Sequence, residues 1–157
     1  MQQAVESDAL LDAAYRRTHY EVTLPEGGLL TLRVDIASAA LQVIHERCGV
    51  SCSAFVTAWN PRSEQQPAAL NAAANEELRR RLRAQGLESW PGRGRDPHGK
   101  WEAEESLFVP GLELDAACAH ARQYGQNAIL HAAADAVPRL TWLRPSPGVA
   151  PRRALPR

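Results

Sequence analysis

Glycine and arginine alternate at Gly92, Arg93, Gly94 and Arg95, within the stretch PGRGRDPHGKW. Glycines let successive backbone N–H groups turn inward as an anion nest, and arginines offer paired donors to phosphate or carboxylate. The chemistry this predicts is binding of an anionic small molecule or a nucleotide. The spacing is not that of a P-loop, because no G-x4-G-K-[ST] run occurs. The same residues equally fit a hairpin loop whose glycines serve only its turns. Asp96 and Trp101 lie in the same stretch, and His98 has the type for acid–base work, although a solvent-facing loop histidine is the commoner case.

A second group is made of amides: Asn60, Asn71, Asn75, Gln126 and Asn127. Amides read the polar edges of purines and ribose, and they also satisfy buried backbone groups and cap chain ends. Asn71 and Asn75 stand one helical turn apart and so face the same way. Glu102, Glu104 and Glu105 have the type for a general base or a metal carboxylate; Glu105, which begins an apolar run, is the favoured one, and a charge pair with Arg93 or Arg95 is the commoner role for such a group. Trp59, Trp90 and Trp101 could stack a planar ligand or close the core at strand ends. His45, Cys48 and Cys52 have the types for zinc, but their spacing is not a standard knuckle. No metal and no cofactor are expected.

These residues sit in a chain of 157 residues, enough for one domain with its own core. The formal charge of zero argues against a field that gathers nucleic acid, so any anion site is local. The opening MQQAVESDALLDAAYRR lacks the apolar run of a signal peptide, and no run is long enough for a membrane span. Three cysteines are an odd count that fits free thiols in a reducing cytoplasm. The domain is expected over residues 1–144, followed by a disordered tail rich in Pro and Arg over residues 145–157.

Hydrophobic spacing supplies the elements that must position the candidates. Leu10, Leu11, Ala14 and Tyr15 share a helical face. HYEVTL and LLTLRV flank Pro25-Glu26-Gly27-Gly28 as a β-hairpin. A short helix capped by Asp35 or Ser38 ends at Gly49. SAFVTAW is an apolar strand buried on both faces. A long helix begins near Ser63 or Pro67, with Leu70, Ala74, Leu78 and Leu82 as its buried stripe. LESW, SLFV, NAILHA and PRLTWLR read as strands, and residues 114–124 as an amphipathic helix.

From residue 53 to residue 132 the order is β-α-β-β-α-β, which predicts an α+β fold with a ferredoxin-like core. The N-terminal hairpin and a further C-terminal strand would extend its mainly antiparallel sheet. In that topology Thr57, Asn60, the loop over residues 92–105, and the Gly125-Gln126-Asn127 turn converge at one end of the sheet. Convergent polar groups at the end of a rigid sheet are a usual way to build a site. The candidate ligand-binding residues are therefore Thr57, Asn60, Asn71, Asn75, Arg93, Arg95, Asp96, Trp101, Glu105, Gln126 and Asn127.

The ordered set AFVTAWNPRS, N-x3-N, PGRGRDPHGKWEAEESLFVPG and YGQNAIL resembles the bacterial Domain-of-Unknown-Function family 3293. The resemblance covers residues 15–140. The family-like positions are Thr57, Trp59, Asn60, Pro61, Asn71, Asn75, Gly92, Gly94, Asp96, Trp101, Glu105, Gly125, Gln126 and Asn127. It implies a small stand-alone bacterial protein and brings no activity with it. Two function classes follow: a small-molecule or nucleotide-binding domain, enzymatic or not, and a protein-interaction or structural module without catalysis.

Overall fold

The computed structural model describes residues 2–143, with side chains from residue 8 onward. The tail expected over residues 145–157 lies outside the described residues. Helix α1 (Gln2–Arg17) leads into strands β1 (His19–Thr23) and β2 (Leu29–Leu32). Helix α2 (Ala39–Cys48) follows, with the Ser38 side chain accepting from the Leu41 N–H and Gly49 closing the helix at φ 65°. This is a Ser N-cap and a left-handed glycine stop. Next come β3 (Ser53–Val56), a short 3-10 turn (Pro61–Ser63) and α3 (Ala68–Ala84). The remainder is β4 (Trp90–Arg95), β5 (Glu104–Pro110), α4 (Leu114–Gln123), β6 (Ala128–Ala132) and β7 (Pro138–Trp142).

All seven strands form one sheet in the order β2-β1-β4-β5-β3-β6-β7. Every neighbouring pair is antiparallel. The fold is therefore α+β with a mixed set of helices and an antiparallel sheet. β3 and β5 are inner strands and the most apolar, as the sequence predicts. Alternate residues face opposite sides. Ala54 and Val56 of β3, with Leu107 and Val109 of β5, pack against Leu78 and Leu82 of α3 and Ala117, Cys118 and Ala121 of α4. Leu78 and Leu82 are fully buried, each contributing about 1.5–3 kcal/mol from burial. Phe55, Phe108, Leu130, Tyr20 and Val22 face the other side, where Leu41 and Ile44 of α2 cover part of them.

The sheet curls towards that second side. Just after edge strand β2, the Asp35 N–H donates to the carbonyl of Pro138 in the opposite edge strand β7 (2.7 Å). Helix α1 spans the concave face that results. Its Tyr15 ring meets Trp142 of β7 edge-on at 5.5 Å. The Tyr20 hydroxyl of β1 donates to the Tyr15 carbonyl at 2.9 Å. The hairpin, α2 and the strand cores form where the sequence places them.

Four local expectations are corrected. LESW is not a strand over its length: β4 begins at Trp90 and runs through Gly92, Arg93, Gly94 and Arg95. The segment expected as a loop is instead paired on both sides, with β1 and with β5. Pairing supplies every backbone group with a partner, which outweighs the low strand propensity of glycine. In α3 the buried stripe is Asn71, Asn75, Leu78 and Leu82, whereas Leu70 is exposed. On α1, Leu10 likewise points to solvent.

Candidate functional site

A cavity of about 740 Å³ opens on the concave face between α1 and the sheet. Its apolar walls come from Leu11, Ala14 and Tyr15 of α1 and from Phe55, Leu130 and Leu140 of the sheet. Its polar rim comes from Thr57, Trp59, Asn60, Gln66, Lys100, Trp101, Glu104 and Gln126. The rim is the end of the sheet at which the sequence predicts convergence, and Thr57, Asn60, Trp101 and Gln126 reach it.

The rim is held by amides acting on backbone. Asn75 Oδ1 accepts from the Ala58 N–H at 2.7 Å and Asn75 Nδ2 donates to the Glu105 carbonyl at 2.9 Å, which ties the ends of β3 and β5 to α3. The Thr57 hydroxyl donates to the same Glu105 carbonyl at 2.7 Å. Asn71 Oδ1 accepts from the Asn60 N–H at 2.9 Å, and Asn71 Nδ2 donates to Asn60 Oδ1 at 2.8 Å. Gln66 Nε2 adds a bond to Asn71 Oδ1 at 2.6 Å. Gln126 Nε2 donates to the Trp59 carbonyl at 3.0 Å, and Asn127 Nδ2 to Ser63 Oγ at 2.9 Å. Both buried asparagines of α3 are engaged by the protein itself and hold the rim in shape; Asn71 also lines the cavity, whereas Asn75 does not.

The segment these bonds hold is strained. Asn60, Arg62 and Ser63 lie at φ 44°, 58° and 59°, in the left-handed region that non-glycine residues avoid. The Arg62 N–H donates to the Gly125 carbonyl at 2.7 Å. A Cβ on Gly125, itself at φ +64°, would lie 3.3 Å from Pro61. The Gly125-Gln126-Asn127 turn is thus a clamp for residues 59–63.

Strand alternation decides which charged groups enter the cavity. On β5, Glu104, Ser106 and Phe108 face the concave side and Glu105 faces away. Glu104 lines the cavity and accepts from Asn60 Nδ2 at 3.3 Å. No ion pair reaches its carboxylate among the described residues. Burial pushes the Glu104 carboxyl above its ordinary range, and the Asn60 amide offsets only part of this. Glu105, the carboxylate the sequence favours, is outside the cavity lining, and its neighbour Glu104 is within it. A shift of one residue reverses the face of a strand residue.

The arginines face away as well. Gly92 and Gly94 turn their bare Cα atoms to the concave side: a Cβ on Gly92 would lie 2.7 Å from Phe55 Cε2, and one on Gly94 3.5 Å from Thr18. Arg93 and Arg95 therefore project from the opposite face, and both donate through Nε to Glu21 Oε1 at 3.0 Å. Glu21 is buried beneath them, with its side chain 6% exposed. The expected anion nest is absent here because its N–H groups belong to a strand, and its glycines serve close packing. Asp96 is also structural. Its carboxylate accepts from the backbone N–H groups of His98 (3.0 Å) and Lys100 (2.8 Å). Burial raises its pKa, but those two bonds and Arg17 bring it below the ordinary value. The Arg17 guanidinium lies 5.7 Å from the Trp101 ring, which couples this turn to the end of α1.

At the other end of the sheet, the zinc candidates are committed elsewhere. The ring of His45 pairs with Ser53 Oγ at 2.8 Å, and Cys52 Sγ donates to the Leu112 carbonyl at 3.5 Å. All three cysteines are free, and no cluster of three His, Cys, Asp or Glu side chains fit to hold a metal occurs among the described residues. No helix among them is long and apolar enough to cross a membrane.

Tyr15, Tyr20 and Ser106 are cavity residues that the sequence does not single out as a site, and Glu104 is one that it ranks behind Glu105. Period-2 alternation on β5 was the available signal for Glu104 and Ser106. The contribution of α1 had no local signal. The molecule is thus an α+β domain whose curled antiparallel sheet carries a polar-rimmed cavity on its concave face. Residues 56–129 match the model of the family described as "Protein of unknown function (DUF3293)", so the resemblance holds over that stretch. The match includes the rim residues but leaves out α1 and β7, and with them Leu11, Ala14, Tyr15 and Leu140 of the apolar wall. Comparison with curated proteins and with solved structures gave no match.

Proposed function

We propose that this chain is a small-molecule-binding domain whose ligand occupies the concave cavity between α1 and the sheet. The supporting observation is the cavity itself: about 740 Å³, apolar along its walls and polar at its rim. That size and that division of surface are typical of sites for small molecules and cofactors. Arg93 and Arg95 contribute nothing to this cavity, since they are turned away from it and bonded to Glu21. A nucleotide would have to be held by its base and ribose, with Lys100 the cation on the cavity lining.

We also read β3 to β6, with α3 and α4, as a ferredoxin-like core carrying an added hairpin and an added strand. The order β4-β5-β3-β6, all antiparallel, supports this. A second functional reading, an interaction module, is favoured by one observation. Leu29 of β2 and Arg93 of β4 are exposed and Arg95 is half-buried, all on the face of β2 and β4 away from the cavity.

A thermal-shift screen tests the binding reading, because a ligand bound only by the native state raises Tm. The screen should include nucleotides, phosphorylated metabolites and aromatic amines. Compounds that stabilise the parent should lose their effect in Leu11→Trp, which places an indole in the cavity from α1. Equal stabilisation of both proteins would place binding elsewhere.

A further inference from the structure

We propose that the cavity selects ligands bearing a protonated amine, or a comparable N–H-rich cation, on an aromatic or aliphatic body, with Glu104 as the group that receives the charge. The inference rests on the cavity reading above and adds the ligand class. Three observations carry it.

The first is position. Glu104 stands on β5, on the concave face it shares with Ser106 and Phe108, in a lining that also holds Tyr15, Trp59 and Trp101. A carboxylate there is reached by a ligand whose body lies on the wall.

The second is incomplete partnering. A carboxylate has two oxygens and about four acceptor directions. Among the described residues Glu104 accepts one long bond, from Asn60 at 3.3 Å, and has no cationic partner. Glu21, the buried carboxylate on the opposite face, shows the contrast: two arginines bond to it at 3.0 Å. The protein thus neutralises the buried Glu21 internally and leaves the half-buried Glu104 facing the cavity. Its raised pKa agrees with a site that gains from an arriving cation.

The third is the balance of the lining. Lys100 and Glu102 both stand on the rim and cancel formally, which leaves Glu104 in excess. Arg93 and Arg95 are on the far side of the sheet, and Arg17, at the end of α1, is drawn to Asp96 and the Trp101 ring. The Trp59 ring in the lining adds an aromatic surface of the kind that attracts cations.

The test is protein-observed NMR, with the indole N–H signals of Trp59 and Trp101 as reporters at the cavity. The probes are tryptamine, 3-methylindole and indole-3-propionate, which share a ring and differ in charge. Tryptamine should shift both signals and bind at least ten-fold more tightly than either of the others. In Glu104→Gln, which keeps the size and a hydrogen-bonding oxygen, tryptamine should fall to the level of 3-methylindole. Equal binding of all three, or a preference for the propionate, overturns the amine selectivity while leaving the cavity reading intact. Tryptamine binding unchanged in Glu104→Gln overturns the role of Glu104. Absence of shifts from all three probes overturns the amine proposal; the thermal-shift screen then decides the cavity reading separately.

Discussion

Asn60 and Asn71 hold one another through a reciprocal pair of hydrogen bonds. The Asn60 backbone N–H donates to Asn71 Oδ1 at 2.9 Å, while Asn71 Nδ2 returns a bond to Asn60 Oδ1 at 2.8 Å. Asn71 is 1% exposed, so neither bond has water as a substitute. Asn71→Ala should therefore leave a buried N–H unpaired and lower stability by about 2–3 kcal/mol. Tm should fall by roughly 4–10 °C for a domain of this size. Asn71→Asp tests the same pair, because the carboxylate accepts from Asn60 but cannot donate back. A variant as stable as the parent would show that the pair contributes little.

Gly92 and Gly94 should respond differently to the same substitution. A methyl on Gly92 meets Phe55 Cε2 at 2.7 Å and the Glu21 carbonyl at 3.1 Å, so sheet or ring must move. Gly92→Ala should cost about 1–3 kcal/mol. At Gly94 the nearest atom is 3.5 Å away, an ordinary contact, and Gly94→Ala should be neutral or slightly stabilising. Chemical denaturation of both variants decides it. Equal and small effects would argue that Gly92 does not abut Phe55.

The cluster of Glu21, Arg93 and Arg95 should behave as one unit. Either arginine alone leaves the other on Glu21, and both are about half exposed, so each single Ala variant should lose under about 1 kcal/mol. The double variant strands a buried carboxylate and should lose more than the sum of the singles. Adding Glu21→Gln to the double variant should recover part of that loss. Strict additivity across the set would contradict the shared role of Glu21.

Glu104 gives a pH dependence with a definite sign. Its folded pKa is raised, so between the unfolded value, near 4.3, and the folded one the native state binds more protons than the unfolded chain. Stability therefore falls as pH rises through that window. Glu104→Gln, which cannot ionise, should exceed the parent in Tm at neutral pH. The difference should vanish below about pH 4, where both states of the parent are protonated. His45, lowered by burial and by His131, acts in the opposite sense and is common to both proteins, so it cancels. A parent more stable than the variant at neutral pH would show that the carboxylate is well solvated.

The fold was readable where pattern and burial coincide. SAFV, SLFV and NAILHA are apolar because they lie between layers, and Ser38 and Gly49 cap α2 by local chemistry alone. The failures have physical causes. Glycine and arginine at positions 92–95 read as loop because neither favours a strand, and only pairing with β1 and β5 imposes one. Asn71 and Asn75 read as facing one way, but their partners at Ala58, Asn60 and Glu105 are long-range. Glu105 starts an apolar run and Glu104 precedes it by one residue, which in a strand is the difference between the two faces of the sheet. The cavity depends on α1 reaching Trp142, 127 positions beyond Tyr15, and no local pattern reports such a contact.

The central claim is that a small molecule binds on the concave face under α1. Crystals of the parent protein soaked with an aromatic fragment set test it most directly. The account predicts fragment density between Tyr15, Trp59 and Glu104, with amine-bearing fragments placing their nitrogen within hydrogen-bond distance of the Glu104 carboxylate. Density confined to the outer face over Glu21, Arg93 and Arg95, with the cavity free of fragments, would contradict it.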